Sequence, residues 1–236
     1  MKTDLAHPDR QTIQSFFNAI PARYAFLTSF FSLGLDLYWR KRTVKVALSG
    51  QERSILDLGV GTGKSLNQFM NAHSFDLPVG CDFSNKMLEQ ARKRLRNRAS
   101  LLVCDFHELP FPSDSFDMIT GSFILRSVQE MRFFLGEVKR VMKKNGKAVF
   151  LELTRPENPL VWNLLYKPYL KFYIPFIGKL LSQHEEAYQF LSQSIQSFIE
   201  PADLKKDFEA VGFCDVTYQP IFFGAVTIIQ GLQKRE

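Results

Sequence analysis

A chain of 236 residues with 45% hydrophobic and 23% charged side chains holds enough apolar material for one sizeable core, and two full domains would be cramped in it. Its net charge of +6 allows an acidic partner, whether nucleic acid, an anionic membrane surface or a polyanionic cofactor, without requiring one. The opening MKTDLAHPDRQ has no apolar run behind basic residues, and the longest apolar stretch is broken by Lys167, Lys171 and Lys179, so neither a secretory signal nor a bilayer span is expected.

Three cysteines, Cys81, Cys104 and Cys214, share no C-x-x-C spacing and read as small buried hydrophobes in a reducing cytoplasm. The 23 phenylalanines gather in the first 35 residues and again between Phe172 and Phe198, as if to shape an apolar cavity or surface. Residues 1–50, including QTIQSFFNAI and YWRKRTVKVAL, show helical periodicity and predict an N-terminal helical cap. From Arg53 onward, short apolar runs alternate with helical ones. SILDLGV, LPVGCDF, SLLVCDF, SFDMITGSFI and KAVFLELT read as strands. SLNQFMNAH, NKMLEQARKRL and MRFFLGEVKRVM read as the helices between them. This alternation specifies βαβ units and a parallel sheet over residues 51–155.

The basic run from Arg92 to Arg98 reads as a solvated helix face near a C-terminus that favours cations. Residues 156–197 form an aromatic, proline-punctuated helical insertion, long enough to call for a job. Over residues 198–236, ADLKKDFEAVG predicts a last helix. FCDVTYQPIFF and AVTIIQGLQ follow as two strands joined so closely at Gly224 that they must be antiparallel. The expectation is one α/β domain with a Rossmann-like, seven-stranded, mostly parallel sheet closed by an antiparallel hairpin.

The sharpest motif is LDLGVGTGK, residues 56–64, in which Gly59, Gly61 and Gly63 alternate between a strand and a helix. Glycines there permit a tight bend and close approach of a ligand to backbone amides. Asp82 ends the second strand nineteen residues after Gly63, near the separation of about 20 residues at which nucleotide-binding folds hold ribose hydroxyls. Its alternative is a helix cap, a role that Ser84 suits equally. Asp105 ends the third strand, where it can accept from an adenine amine while Phe106 lies against the ring. Thr62 offers a hydroxyl in the loop. Asp57 either meets the ammonium end of a cofactor or accepts from loop amides, with nothing to choose between them. Ser122 ends the fourth strand at the same crevice or is a strand-end serine only. The glycine loop, two acids and the closing hairpin together favour S-adenosyl-L-methionine over a nicotinamide cofactor.

The stretches FFNAIPARYAFLTSFFSLGLDLYWRKR, LDLGVGTG, GCDFSNKMLEQAR, ELPFPSDSFD, FILRSV, RVMKKNGKAVFLEL and EEAYQFLSQSI resemble the ubiquinone/menaquinone biosynthesis C-methyltransferases of the UbiE/MenG type, from about Phe16 to Gly231. The resemblance implies methyl transfer from S-adenosylmethionine to a ring carbon of a polyprenylated quinol, either benzoquinol or naphthoquinol, with Thr62, Asp82, Asp105, Phe106 and Ser122 at the cofactor. The departures mark a divergent member. Lys64 stands where the family commonly has Asp, Ala25 and Thr28 follow Tyr24, Ile124 and Ser127 stand in the family's Phe-Gly-Leu-Arg-Asn, and Ser192 and Gln193 replace a usual Pro-Glu.

Arg126 and Tyr24 are the catalytic candidates. Arginine stays protonated, so it can steady a phenolate but not act as the base. Arg126 is alternatively a structural ion pair with Asp36 or Glu152, and Tyr24 an amphipathic core residue. His184 reads as a surface histidine. No metal site is expected. A nucleic-acid methyltransferase is disfavoured because GSFILRSV lacks an Asn/Asp-Pro-Pro-aromatic stretch, and the remaining rivals are a divergent small-molecule methyltransferase with another aromatic or lipophilic substrate and a drifted non-catalytic relative that binds S-adenosylmethionine. Peripheral membrane contact through residues 159–181, at the inner face of a membrane, and a homodimer complete the expectations.

Overall fold

The computed structural model describes residues 32, 34–173 and 193–234. The readings made on QTIQSFFNAI, Tyr24, Ala25, Thr28, His184 and Ser192 lie outside the described residues.

The first described helix, α1 (Leu35–Ala47), leads into strand β1 (Ser54–Leu58), whose five residues are all buried. Helix α2 (Lys64–Ala72), strand β2 (Leu77–Asp82), helix α3 (Asn85–Leu95) and strand β3 (Ser100–Val103) complete one half of the sheet. The other half comprises strand β4 (Phe116–Ser122), helix α4 (Met131–Val141), strand β5 (Met142–Leu153), helix α5 (Pro201–Ala210) and strands β6 (Cys214–Ile221) and β7 (Val226–Leu232). The seven strands lie in the order β3-β2-β1-β4-β5-β7-β6. Pairing is parallel from β3 to β5, whereas β7 runs antiparallel to both β5 and β6. The predicted hairpin is therefore present, with its second strand inserted inside the sheet.

Strand periodicity sorts the core into two layers. Leu56, Leu58, Ile119 and Phe150 face α4 and α5, where Phe134, Leu135, Val138, Leu204 and Phe208 cover them. Their neighbours Ile55, Met118, Val149 and Leu151 face the opposite way, toward Trp39, Leu66, Phe69, Leu88 and Leu95 of α1, α2 and α3. Each helix supplies a stripe at helical spacing, as in Met87, Leu88, Ala91 and Leu95 of α3, which is what lets it cover one sheet face. Full burial of a leucine or phenylalanine of this kind stabilises the fold by about 1.5–3 kcal/mol.

Strand β5 starts five residues before the predicted KAVFLELT. Asn145 turns at φ 61°, a conformation that asparagine tolerates, and the Asn145 amide donates to the Gln233 carbonyl while Gln233 donates back to Gly146. Those bonds carry the ladder across what the sequence reads as a turn. Cys81 and Cys104 are buried as expected, but Cys214 is only partly so, at the mouth of β6. After β5 the insertion is helical where described, with wide π-type turns at Val161–Tyr166 and Tyr169–Tyr173. Trp162, Leu170 and Ile195 form its own small core.

Candidate active site

The strand order reverses at β1, since β2 and β3 extend to one side of it and β4 and β5 to the other. Open α/β sheets bind ligands at such a switch point, outside the carboxyl ends of the strands. A crevice lies there, lined by Gly59, Val60, Gly61 and Thr62 of the loop, Arg40, Lys64, Asp82, Phe83, Met87, Phe106, and the Ser122–Ile124 and Ser127 strand end.

Gly59, Gly61 and Gly63 have φ of 60°, 52° and 77°, left-handed values that cost a side-chain-bearing residue about 1 kcal/mol. At Gly59 a Cβ would in addition run into the Ile124 side chain. The Val60 amide donates to the Cys81 carbonyl at 2.9 Å, and Gly63 donates to Val60 at 2.8 Å. Gly63 starts α2 without a side-chain cap, which leaves the helix N-terminus turned to the crevice with its dipole favouring negative charge.

Asp82 is nearly buried. Its Oδ2 accepts from the Gly61 amide and its Oδ1 from the Ser84 amide, both at 2.9 Å. Burial pushes its carboxyl up to about 6 despite those amides. The Phe83 amide also faces this carboxylate, whose capacity of about four acceptor positions still leaves room for a hydroxyl of a ligand. The helix cap belongs to Ser84, whose hydroxyl accepts from Met87 at 3.3 Å. Phe106 forms one wall, edge-on to Phe83 and Phe134. Asp105 Oδ1 accepts from the His107 amide at 2.9 Å and meets the His107 ring at 3.1 Å. A short acidic side chain two residues before a free amide closes such a turn readily.

Thr62 reaches the crevice, and its hydroxyl oxygen accepts from Arg94 at 2.7 Å. Arg94 also donates to the Thr62 carbonyl. The basic run of α3 is therefore not a purely solvated face: Arg94 folds inward to pin the loop, and Arg98 donates to Asn67 and Asn71 of α2.

Ser122 shares a 2.7 Å hydrogen bond with Ser65, whose oxygen accepts from Arg40. Below this chain lies Asp57, level with Thr120 on β4. Its carboxylate is buried with no hydrogen-bond partner among the described residues, although the Leu66 amide is turned toward it, and the Thr120 hydroxyl has none either. Burial pushes the Asp57 carboxyl up to about 7, against the downward pull of Arg40. An orphaned buried carboxylate asks for a partner.

Arg126 sits in a short 3-10 turn, Leu125–Ser127, and is as buried as its counter-ion. Its Nη1 lies 2.7 Å from Glu152 Oε1, with side chains 3% and 0% exposed, and also donates to the Phe123 carbonyl at 3.0 Å. The Glu152 alternative foreseen from sequence is present, and Ser127, not Arg126, lines the crevice. Phe123 adopts φ 65°, rare for a bulky residue and a local strain that concentrates at functional sites.

Arg40, Ser65 and Arg94 are site residues that the sequence did not single out. The i, i+4 pairing of Asp36 and Arg40 was the only local signal, and it says nothing about which way α1 faces the sheet.

The arrangement fits S-adenosyl-L-methionine. Asp82 keeps acceptor positions for a ribose, Phe106 presents a ring face, the loop lets a ligand approach its backbone, and Asp57 lies unpartnered below. With a sheet that is parallel except for its β5-β7-β6 edge, these features define a class I S-adenosylmethionine-dependent methyltransferase. Solved structures share the fold, including a SAM-dependent methyltransferase from Thermotoga maritima described as a possible histamine N-methyltransferase (TM-score 0.64, 19% identity, 94% of this chain and 99% of that one). A second is a putative methyltransferase in complex with the Haloferax volcanii Trm112 activator (TM-score 0.69, 18% identity, 93% and 98%).

Residues 5–233 match the ubiE/COQ5 methyltransferase family, and the chain belongs to it. It is 37% identical over 216 residues to the demethylmenaquinone methyltransferase of Thermotoga maritima, covering 91% of this chain and 93% of that one. It is 33% identical over 226 residues to the ubiquinone/menaquinone biosynthesis C-methyltransferase UbiE of Desulfotalea psychrophila, covering 94% and 90%. A demethylmenaquinone methyltransferase of Thermus thermophilus is 35% identical over 218 residues, covering 91% and 98%.

Proposed function

We propose that this enzyme methylates a ring carbon of a polyprenylated quinol in quinone biosynthesis, with a demethylated naphthoquinol as the ring. The observation that carries this reading is the near full-length similarity to relatives named demethylmenaquinone methyltransferase.

When bound, S-adenosylmethionine supplies a methyl group on a sulfonium, already a strong electrophile, so the protein's work is to orient the partners and raise the nucleophilicity of the ring carbon. Asp82 and Phe106 hold the adenosine end, and the Ser65–Ser122 pair borders the middle of the crevice. The ring approaches from the side of Ile124 and Ser127. Loss of the proton of an adjacent ring hydroxyl to water makes the carbon reactive, nearby positive charge stabilises the phenolate, and the ring carbon gives up its own proton to water after the methyl is added. Held to Glu152, Arg126 offers a developing phenolate a fixed dipole instead of a lone cation, and Tyr24 hydrogen-bonds a ring oxygen. The apolar insertion after β5 receives the polyprenyl tail, and its exposed Leu160, Leu164, Leu165 and Phe172 bring the enzyme to the membrane surface where such a substrate resides. No helix among the described residues is long and apolar enough to cross a membrane.

The test is transfer of labelled methyl to a panel of prenylated naphthoquinols and benzoquinols, with the product position mapped by NMR. A C-methylated naphthoquinol is the expected product. Preferential labelling of a benzoquinol would overturn the choice of ring, and cofactor binding with no quinol labelled would overturn the reading altogether.

A further inference from the structure

Two cations line the cofactor crevice from separate elements, Arg40 from the middle of α1 and Lys64 from the first turn of α2. They converge on one carboxylate. Lys64 Nζ lies 3.0 Å from Asp36 Oδ2, and Arg40 Nε lies 3.9 Å from the same oxygen. Asp36 is fully buried, and the Lys64 and Arg40 side chains are 15% and 11% exposed. The Asp36 amide in turn donates to the Ser32 hydroxyl oxygen at 3.2 Å.

Arg40 is fixed by more than charge. Its guanidinium donates to Ser65 and lies over the Phe123 ring, 4.9 Å from the centroid. That contact gives the left-handed Phe123 a purpose, because the turn swings its ring beneath the guanidinium. The result is a pre-organised planar donor at the N-terminal end of α2, where the helix dipole also favours an anion. Asp82 and Phe106, the groups suited to adenosine, belong to the β2 and β3 strand ends, whereas Arg40 and Lys64 belong to α1 and α2.

We propose that Arg40 and Lys64 form the seat for the carboxylate of the cofactor's methionine moiety. S-adenosylmethionine has a single anionic group, and the crevice gathers its cations at one end. The carboxylate accepts from Arg40 and Lys64, and the neighbouring ammonium points down toward Asp57. Asp36 acts as a positioning residue that aims both cations. The amino-acid end is thereby anchored opposite the adenosine end, which fixes the sulfonium methyl between them.

The test compares dissociation constants, measured by calorimetry, for S-adenosylmethionine and for its decarboxylated analogue, which keeps the sulfonium and the amine but lacks the carboxylate. The unaltered protein is expected to bind S-adenosylmethionine at least about tenfold more tightly than the analogue, the scale of a lost charge-assisted hydrogen bond. Arg40→Met is expected to weaken S-adenosylmethionine about tenfold and to leave the analogue nearly unchanged. Lys64→Met should act in the same direction, and Arg40→Lys should restore part of the preference. Equal binding of the two ligands by the unaltered protein would overturn the proposal without reference to any variant's folding. Loss of affinity for both ligands alike in Arg40→Met, with an unchanged melting temperature, would also overturn it by making Arg40 structural only.

Discussion

Asp57 ties stability to pH. Its folded carboxyl titrates at about 7 because burial disfavours the charge, whereas an unfolded chain loses that proton near the ordinary aspartate value of about 4. The native state therefore holds a proton that the unfolded state lacks across this interval, so the stabilisation is complete at low pH and is lost as pH rises through 7. Between pH 6 and 8 the ligand-free protein should lose about 1 kcal/mol from this group. Asp57→Asn should abolish that share of the slope, measured as the difference between the two proteins' urea unfolding curves at each pH. Because Asp82 titrates in a similar range, it is the difference between proteins that isolates Asp57.

Arg126 and Glu152 lie at the other extreme, a buried pair whose charges meet at 2.7 Å. Arg126→Gln would strand Glu152, and the expected loss of stability is about 3–5 kcal/mol. Replacing both residues, as Arg126→Met with Glu152→Leu, should recover most of it. If the double variant is refolded but fails to methylate a quinol while still binding S-adenosylmethionine, the pair serves the ring as well as the fold. Neither pairing followed from the sequence beyond a choice: FILRSV announced a charge needing a partner, and only the depth of β5 beside the turn decided for Glu152 over Asp36.

At the scale of elements, the joint between the glycine loop and the end of β4 is tight. A Cβ at Gly121 would meet Ile124 Cδ1 at 2.7 Å and Phe150 Cδ1 at 3.0 Å, closer than van der Waals contact allows. Gly121→Ala should therefore destabilise the protein by about 1–3 kcal/mol, read as a drop in melting temperature. Adding Ile124→Val removes the nearer obstructing carbon and should restore part of that loss, and strict additivity of the two changes would refute the contact. Elements of this kind were legible from the sequence. The apolar stripes of α2, α3 and α4, the glycine spacing and the strand ends at Asp82 and Ser122 are local patterns, and each marks an element in the structure. The early start of β5 was not legible, because its bonds come from Gln233, remote in sequence.

Across the whole molecule, the exposed Leu160, Leu164, Leu165 and Phe172 share the insertion with Lys167 and Lys171. This is the composition of a segment that inserts shallowly beneath anionic headgroups. Sedimentation with vesicles containing anionic lipid should carry the protein down, and Leu164→Asp combined with Leu165→Asp should leave it in the supernatant without changing its affinity for S-adenosylmethionine. Failure of the unaltered protein to sediment would refute the membrane contact.

The position of β7 governs how the chain assembles during synthesis. It is made after β6 yet lies inside the sheet, bonded on one side to β5 and on the other to β6. Until Val226–Leu232 leaves the ribosome, β5 presents an open apolar edge to other nascent chains, and β6 has no ladder to join. Open edges of this kind recruit foreign strands. Ribosomes stalled between translation of β5 and translation of β7 should therefore yield aggregates where full synthesis yields a closed sheet.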